Sequence, residues 1–115
     1  MMNGGGFTEM AKYLVTANYT TEGLRGLAKD KASGRKAAIV AALKGLGGKL
    51  ESLHYAFGDT DVFVLCDFPD SVSAAALGLA VSASGMVKTR TIPLLTVEEV
   101  DAALDKTVKY RAPGA

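Results

Sequence analysis

Cysteine, histidine and proline are scarce in this chain of 115 residues: one, one and three. With Cys66 alone no internal disulfide can form, which fits a reducing compartment and predicts a cytoplasmic protein. His54 and Cys66 give no HxxxH or CxxC spacing, and paired-carboxylate motifs are missing too, so neither a metal nor another cofactor is expected. Charge of one sign is also lacking. The balance of 13 basic against 12 acidic side chains leaves +1, which offers no field to attract nucleic acid or a membrane surface. The N-terminal MMNGGGFTEM has neither a basic n-region nor an apolar h-region, so no secretory signal is read there. The longest apolar run, about Val72 to Ala83, is interrupted by Ser and Gly and is too short to span a bilayer. Gly4-Gly5-Gly6 and Gly47-Gly48 lack the Lys-Ser/Thr ending of a phosphate loop, and serine-nucleophile motifs are absent.

What is present is an apolar fraction of 49%, enough for one domain with its own core. The pattern predicts a flexible segment over 1–11, a single domain over 12–110 and a frayed tail over 111–115. Lys12 to Tyr19 reads as a first strand, with Tyr13, Val15, Ala17 and Tyr19 on one face and the more polar set Leu14, Thr16 and Asn18 on the other. Thr20 or Thr21 caps a short helical turn to Ala28, and Lys29-Asp30-Lys31 interrupts it. A longer helix follows from a Ser33 cap, with Ile39, Leu43 and Leu46 on one side, Ala38 and Ala42 beside them, and Gly47-Gly48 as its stop.

Gly58-Asp59 suits a two-residue type II′ turn, because glycine takes positive φ at no steric cost. It joins strands over Lys49 to Phe57 and Thr60 to Phe68. Phe57 then pairs with Thr60, and Leu53, Tyr55, Phe57, Val62, Val64 and Cys66 share an apolar face. The opposite face mixes Ser52, His54, Ala56 and Asp61 with Phe63 and Leu65. Asp70 or Ser71 caps a mostly buried helix to Ser84, stopped at Gly85. Met86 to Leu95 is a fourth strand with Pro93 near its edge, and the Thr96/Glu99 capping box opens a terminal helix to about Tyr110 whose stripe is Val97, Val100, Leu104 and Val108. The order predicts an α+β ferredoxin-like βαββαβ sandwich with a C-terminal helix, its helices on one face of a four-stranded antiparallel sheet.

Two helices cover one sheet face and leave Phe63, Leu65, Thr16, Asn18, Ser52 and His54 on the other. Burial of that face against a second copy would enclose a polar-lined space, a natural small-molecule pocket.

The chain also resembles a known family. The resemblance rests on Tyr13 to Thr20 followed by Glu22-Gly23-Leu24-Arg25, on Gly47-Gly48, on Gly58-Asp59-Thr60-Asp61 with Val62 and Val64, on Pro69-Asp70 before an alanine-rich helix, and on Gly85 before the last strand. In that order and spacing they resemble the GYD-domain family of small bacterial proteins, over roughly Lys12 to Glu99. The resemblance implies a dimeric α+β barrel and an oligomeric habit, without implying a reaction. That family's hairpin usually carries tyrosine where this chain has Thr60, so no role for such a ring carries over.

The leading expectation is therefore a homodimer or higher homo-oligomer that binds a small organic or anionic ligand, with no nucleic acid or membrane partner. Thr16, Asn18, Ser52 and Asp61 are its candidate contacts on the sheet, and Arg25 and Arg35 are anion-holding candidates at the helical break. An enzyme using the same pocket is the first alternative, with His54 as acid or base and no cofactor. A structural or regulatory interaction module, docking a partner through the Pro93 edge or the terminal helix, is the second. Cys66 is expected to be a buried, inert thiol.

Overall fold

A computed structural model describes residues 10–115. Its elements run β1 (Ala11–Tyr19), α1 (Thr21–Gly45), β2 (Lys49–Tyr55), β3 (Val62–Phe68), α2 (Ser71–Ala83), β4 (Val87–Pro93) and α3 (Val97–Leu104). All strand pairs are antiparallel, in the sheet order β2-β3-β1-β4, which is the ferredoxin-like arrangement expected from the element order. The expected mobile segment 1–11 lies outside the described residues as far as residue 9, and β1 already includes Ala11.

The two central strands, β3 and β1, hold the core because both of their edges are paired with neighbouring strands and one of their faces is roofed by helices. Tyr13, Val15 and Ala17 of β1 and Val62, Val64, Cys66 and Phe68 of β3 are buried together, beneath Leu43 of α1 and Ala74 of α2. The Tyr13 and Phe68 rings meet edge to face with centroids 5.5 Å apart. Leu43 at i, i+4 from Ile39 anchors α1, and the expected stop after it forms a Schellman motif. Gly47, at φ +75, donates to the Lys44 carbonyl at 3.1 Å, and the Gly48 amide reaches the Leu43 carbonyl at 2.8 Å.

Several local features depart from the sequence reading. The helical break expected at Lys29-Asp30-Lys31 is present, since Lys31 at φ 66 and ψ 163 divides α1 into two helical pieces, but the expected Ser33 cap lies inside the second piece and does not start it. The hairpin register is as expected at its tip, with Tyr55 opposite Val62 and Leu53 opposite Val64, but the connection is six residues long and is not a Gly58-Asp59 turn. The left-handed residue is Phe57 (φ 55), whose exposed ring stacks on Tyr55. A tight turn is unnecessary because the loop is tied down from outside it. Asp61 donates its amide to the Ala17 carbonyl (3.1 Å) and accepts from Tyr19 N through its carboxylate (2.9 Å), while Ala56 N bonds the Asp61 carbonyl. A bulge between Leu50 and Ser52 then shifts the register by one, which returns Leu50 to the core side opposite Cys66.

The second helix was expected to be mostly buried. Instead, only Ala74 is, and Val72 and Leu79 stand 77% and 73% exposed. It packs chiefly on β4, whose Thr89 and Thr91 hydroxyls lie 3.6 and 3.3 Å from where a Cβ on Gly78 would sit. Its cap is as expected, the Asp70 carboxylate accepting from Ser73 N at 2.7 Å. α3 begins with the expected Thr96/Glu99 capping box but ends at Leu104, short of Tyr110, and none of its residues is buried. The chain after it, including the tail over 111–115, forms neither helix nor strand.

Candidate functional site

The sheet face away from the helices is built row by row from the strand register. At one end Lys12 is paired with Asp67 (3.0 Å) and with Glu51, and the hydrogen bond to Glu51, then that to Asp67, raises its ammonium pKa. Next comes an apolar row, Ser52, Leu65, Leu14 and Ile92 in register across β2, β3, β1 and β4. The third row is His54, Phe63, Thr16 and Arg90, and beyond it Asn18 faces Lys88. Because strand residues alternate faces, Lys88, Arg90 and Ile92 look outward while Val87, Thr89 and Thr91 look toward α2.

Thr16, Asn18, Lys88 and Arg90, with Asp59 and Thr60 from the β2–β3 loop, surround an open cavity of about 380 Å³. The loop is fixed there by the Asn18 side-chain amide, which donates to the Asp59 carbonyl at 2.8 Å. Among the described residues no carboxylate lies within ion-pairing distance of Lys88 or Arg90. Two unpaired cations beside a hydroxyl form a site suited to an oxyanion, and the neighbouring apolar row suits the rest of a small organic acid.

The six binding candidates and His54 do not converge. Thr16 and Asn18 line the cavity, while Ser52 stands with Leu65 in the apolar row. Asp61 spends its carboxylate on the Tyr19 amide. His54 is exposed and shares a row with Arg90, but three strand spacings separate them, about 14 Å. Arg25 and Arg35 lie on α1, across the sheet from all of these. Arg35 sits 3.6 Å from Asp30.

Lys88 and Arg90 were missed at the sequence level. The signal was present: in VKTRTIP the cations fall at alternate positions, and a strand puts them on one face with Ile92.

On the helix side, burial pushes the Tyr19 phenol up to about 12, with the nearby Tyr55 hydroxyl acting in the same direction. The buried Tyr55 oxygen has no hydrogen-bond partner of good geometry among the described residues. Cys66 is fully buried, and burial lifts its thiol to about 11, which makes it the inert cysteine expected. Among the described residues no group of three potential ligands could hold a metal ion, and no helix is long and apolar enough to cross a membrane.

Comparison with known proteins gives one family. The model described as GYD domain matches residues 13–104. No curated protein and no solved structure matches the chain.

Proposed function

The chain belongs to the GYD domain family, and on that premise we propose that it is a homo-oligomeric binder of a small organic anion. The open sheet face serves both as the contact with a second copy and as the floor of the ligand site. One observation carries this reading: among the described residues Lys88 and Arg90 have no carboxylate partner, and they stand beside Thr16 at the rim of an apolar row. Phe63 and Ile92 on that face are 37% and 41% exposed. Burying a side chain of this size is worth about 1.5–3 kcal/mol in full, so a second sheet laid over the face gains from each. Facing sheets pack about 10 Å apart, and where short polar side chains replace apolar ones the same spacing leaves room for a ligand. The cavity volume of about 380 Å³ falls within the usual range for small-molecule sites. The single buried thiol is consistent with a cytoplasmic setting.

The experiment is a thermal-shift panel of salicylate, citrate, succinate and inorganic phosphate, with sedimentation velocity on the same samples. At least one organic anion is expected to raise Tm, and ligand at a hundred times its Kd adds about 2.7 kcal/mol. Lys88→Ala and Arg90→Ala should each abolish the shift while leaving the unliganded Tm close to that of the parent. A panel that leaves Tm unmoved, or a shift that survives in both variants, refutes the ligand reading. A strictly monomeric parent at micromolar concentration refutes the assembly.

A further inference from the structure

His54 looks out from the open face in the same row as Arg90, yet on its own chain three strand spacings, about 14 Å, hold it away from the anion site. A second copy can bring it there, an inference that rests on the sheet-to-sheet assembly proposed above. We propose that the anion site is shared between two copies. Thr16, Lys88 and Arg90 of one copy form its floor, the partner's His54 and the partner's Phe63 form its roof, and the space between them takes a small aromatic acid.

Two identical sheets laid face to face with their strands aligned are related by a two-fold axis that runs either across the strands or along them. An axis across the strands lays each strand over itself, β4 upon β4. An axis along the strands, midway between β3 and β1, reverses the order and lays β4 over the partner's β2 and β1 over the partner's β3. Charge separates the two. The β1/β4 half of the open face carries Lys12, Lys88 and Arg90, and neither strand contains an acidic residue. The β2/β3 half carries Glu51 and Asp67, placed on this face by their contacts with Lys12, with Lys49 opposite Asp67 at the outer edge. An axis across the strands gathers Lys88 and Arg90 of both copies along one seam, where like charges oppose association. An axis along the strands sets the basic half of each copy against the half that holds the carboxylates.

Under that axis every row of the sheet falls on itself in reverse, so the register names the contacts. In the apolar row Leu14 meets the partner's Leu65 beside the axis, which closes the centre of the face, and Ile92 meets the partner's Ser52. In the next row Thr16 lies under the partner's Phe63 and Arg90 under the partner's His54. Facing sheets stand about 10 Å apart, a gap that side chains and a flat ligand fill together. Phe63 and His54 are both exposed in the single chain, so both are free to serve as the roof. An aromatic acid uses every part of this space. Its carboxylate takes the paired N–H donors of Arg90 and the imidazole N–H, and its ring lies against the partner's Phe63. Inorganic phosphate uses the charges and leaves the ring without a partner.

The test is complementation between two defective full-length chains. His54→Glu and Arg90→Ala chains carrying different affinity tags are co-expressed, and the mixed dimer is isolated by purification on both tags in turn. Each homodimer lacks one half of both its sites and is expected to take up no salicylate in isothermal titration. The mixed dimer keeps one whole site, the Arg90 of one chain roofed by the His54 of the other. It is expected to bind one salicylate per dimer, against two for the parent, whose symmetry gives it two equivalent sites. A His54→Glu homodimer that binds as the parent does, or a mixed dimer that binds none, overturns the proposal. A parent that binds citrate or succinate but not salicylate overturns it alone, whereas a parent that binds no anion overturns the underlying reading as well. A ligand-free measure uses Ser52→Cys and Ile92→Cys chains with a short bis-maleimide, the native Cys66 being buried. Their mixed dimer is expected to become covalently linked and Ile92→Cys alone is not. Linkage of Ile92→Cys to itself puts β4 over β4 and overturns the proposal.

Discussion

Gly23→Ala should be among the most disruptive single-methyl additions in the molecule, and the reason lies in how α1 meets β4. Thr20 caps the helix by accepting from Gly23 N at 3.1 Å. The same residue fastens the helix start to the head of β4, its amide donating to the Met86 carbonyl at 2.9 Å and its hydroxyl to the same oxygen at 3.1 Å. Gly23 is buried directly against that carbonyl. A Cβ at this position would overlap the Met86 oxygen and come within 2.9 Å of its carbon and 3.0 Å of Tyr19 Cδ1. The obstacle is backbone, so relief requires the helix and strand to part. Overpacking of this kind costs about 1–3 kcal/mol. The two hydrogen bonds to Met86 add about 1 kcal/mol each if they stretch. Alanine returns up to about 1 kcal/mol through its helix propensity. The expected net loss is therefore about 2–4 kcal/mol.

Gly26→Ala is the matched control, one turn further along the same helix with nothing within 4 Å of the new methyl. It should be neutral or stabilising by up to about 1 kcal/mol. Both variants are compared with the parent by urea denaturation at one protein concentration, since association would otherwise contribute. A loss below about 1 kcal/mol for Gly23→Ala, or equal losses for the two variants, refutes the steric argument. The same geometry explains why glycine follows Glu22 in the segment that resembles the family.

The strand order, the core and the caps at Thr20, Asp70 and Thr96 were legible because each follows from local chemistry. Alternation separated Tyr13, Val15 and Ala17 from Leu14, Thr16 and Asn18, and the apolar face of Val62, Val64 and Cys66 is the buried one. The hairpin loop was not legible, because what holds it is Asp61 bonded to β1, a contact between residues more than forty positions apart. Propensity sees Gly58-Asp59 but not that distant tether. The exposure of α2 was hidden for a related reason. Its run of alanine and leucine is apolar almost all round, and the single chain supplies a partner only on the side facing the sheet, chiefly β4. Arg35 was singled out as an anion holder at the helical break, and the structure adds a groove between α1 and α2 that it borders. In the open-face cavity, Thr16 and Asn18 were found, but their basic partners across β4 emerge only when the alternation of VKTRTIP is set against the β1 register.

Lys31→Gly is expected to stabilise the protein by about 1 kcal/mol. The φ 66 and ψ 163 of Lys31 lie where a Cβ costs about 1–3 kcal/mol, while glycine returns about 0.5–1 kcal/mol of that through its freer unfolded chain. A lower urea midpoint would refute this. Asp61 offers a sharper test, because the sequence reading made it a ligand contact and the structure gives its carboxylate to a backbone amide. Asp61→Ala leaves the part-buried Tyr19 N–H without its acceptor, which costs about 1–3 kcal/mol. Asp61→Asn keeps an oxygen in the same place and should lose less than half of that. The loop from Ala56 to Asp61 carries Asp59 and Thr60 into the open-face cavity. Asp61→Ala should therefore weaken any anion bound there by loosening one wall, and Asp61→Asn should bind nearly as the parent does. Hydrogen exchange supplies the independent readout, with faster exchange of the Tyr19 and Ala56 amides expected in the alanine variant only. If the asparagine variant loses binding while its amides stay protected, the carboxylate touches the ligand directly and the structural role assigned to Asp61 is wrong.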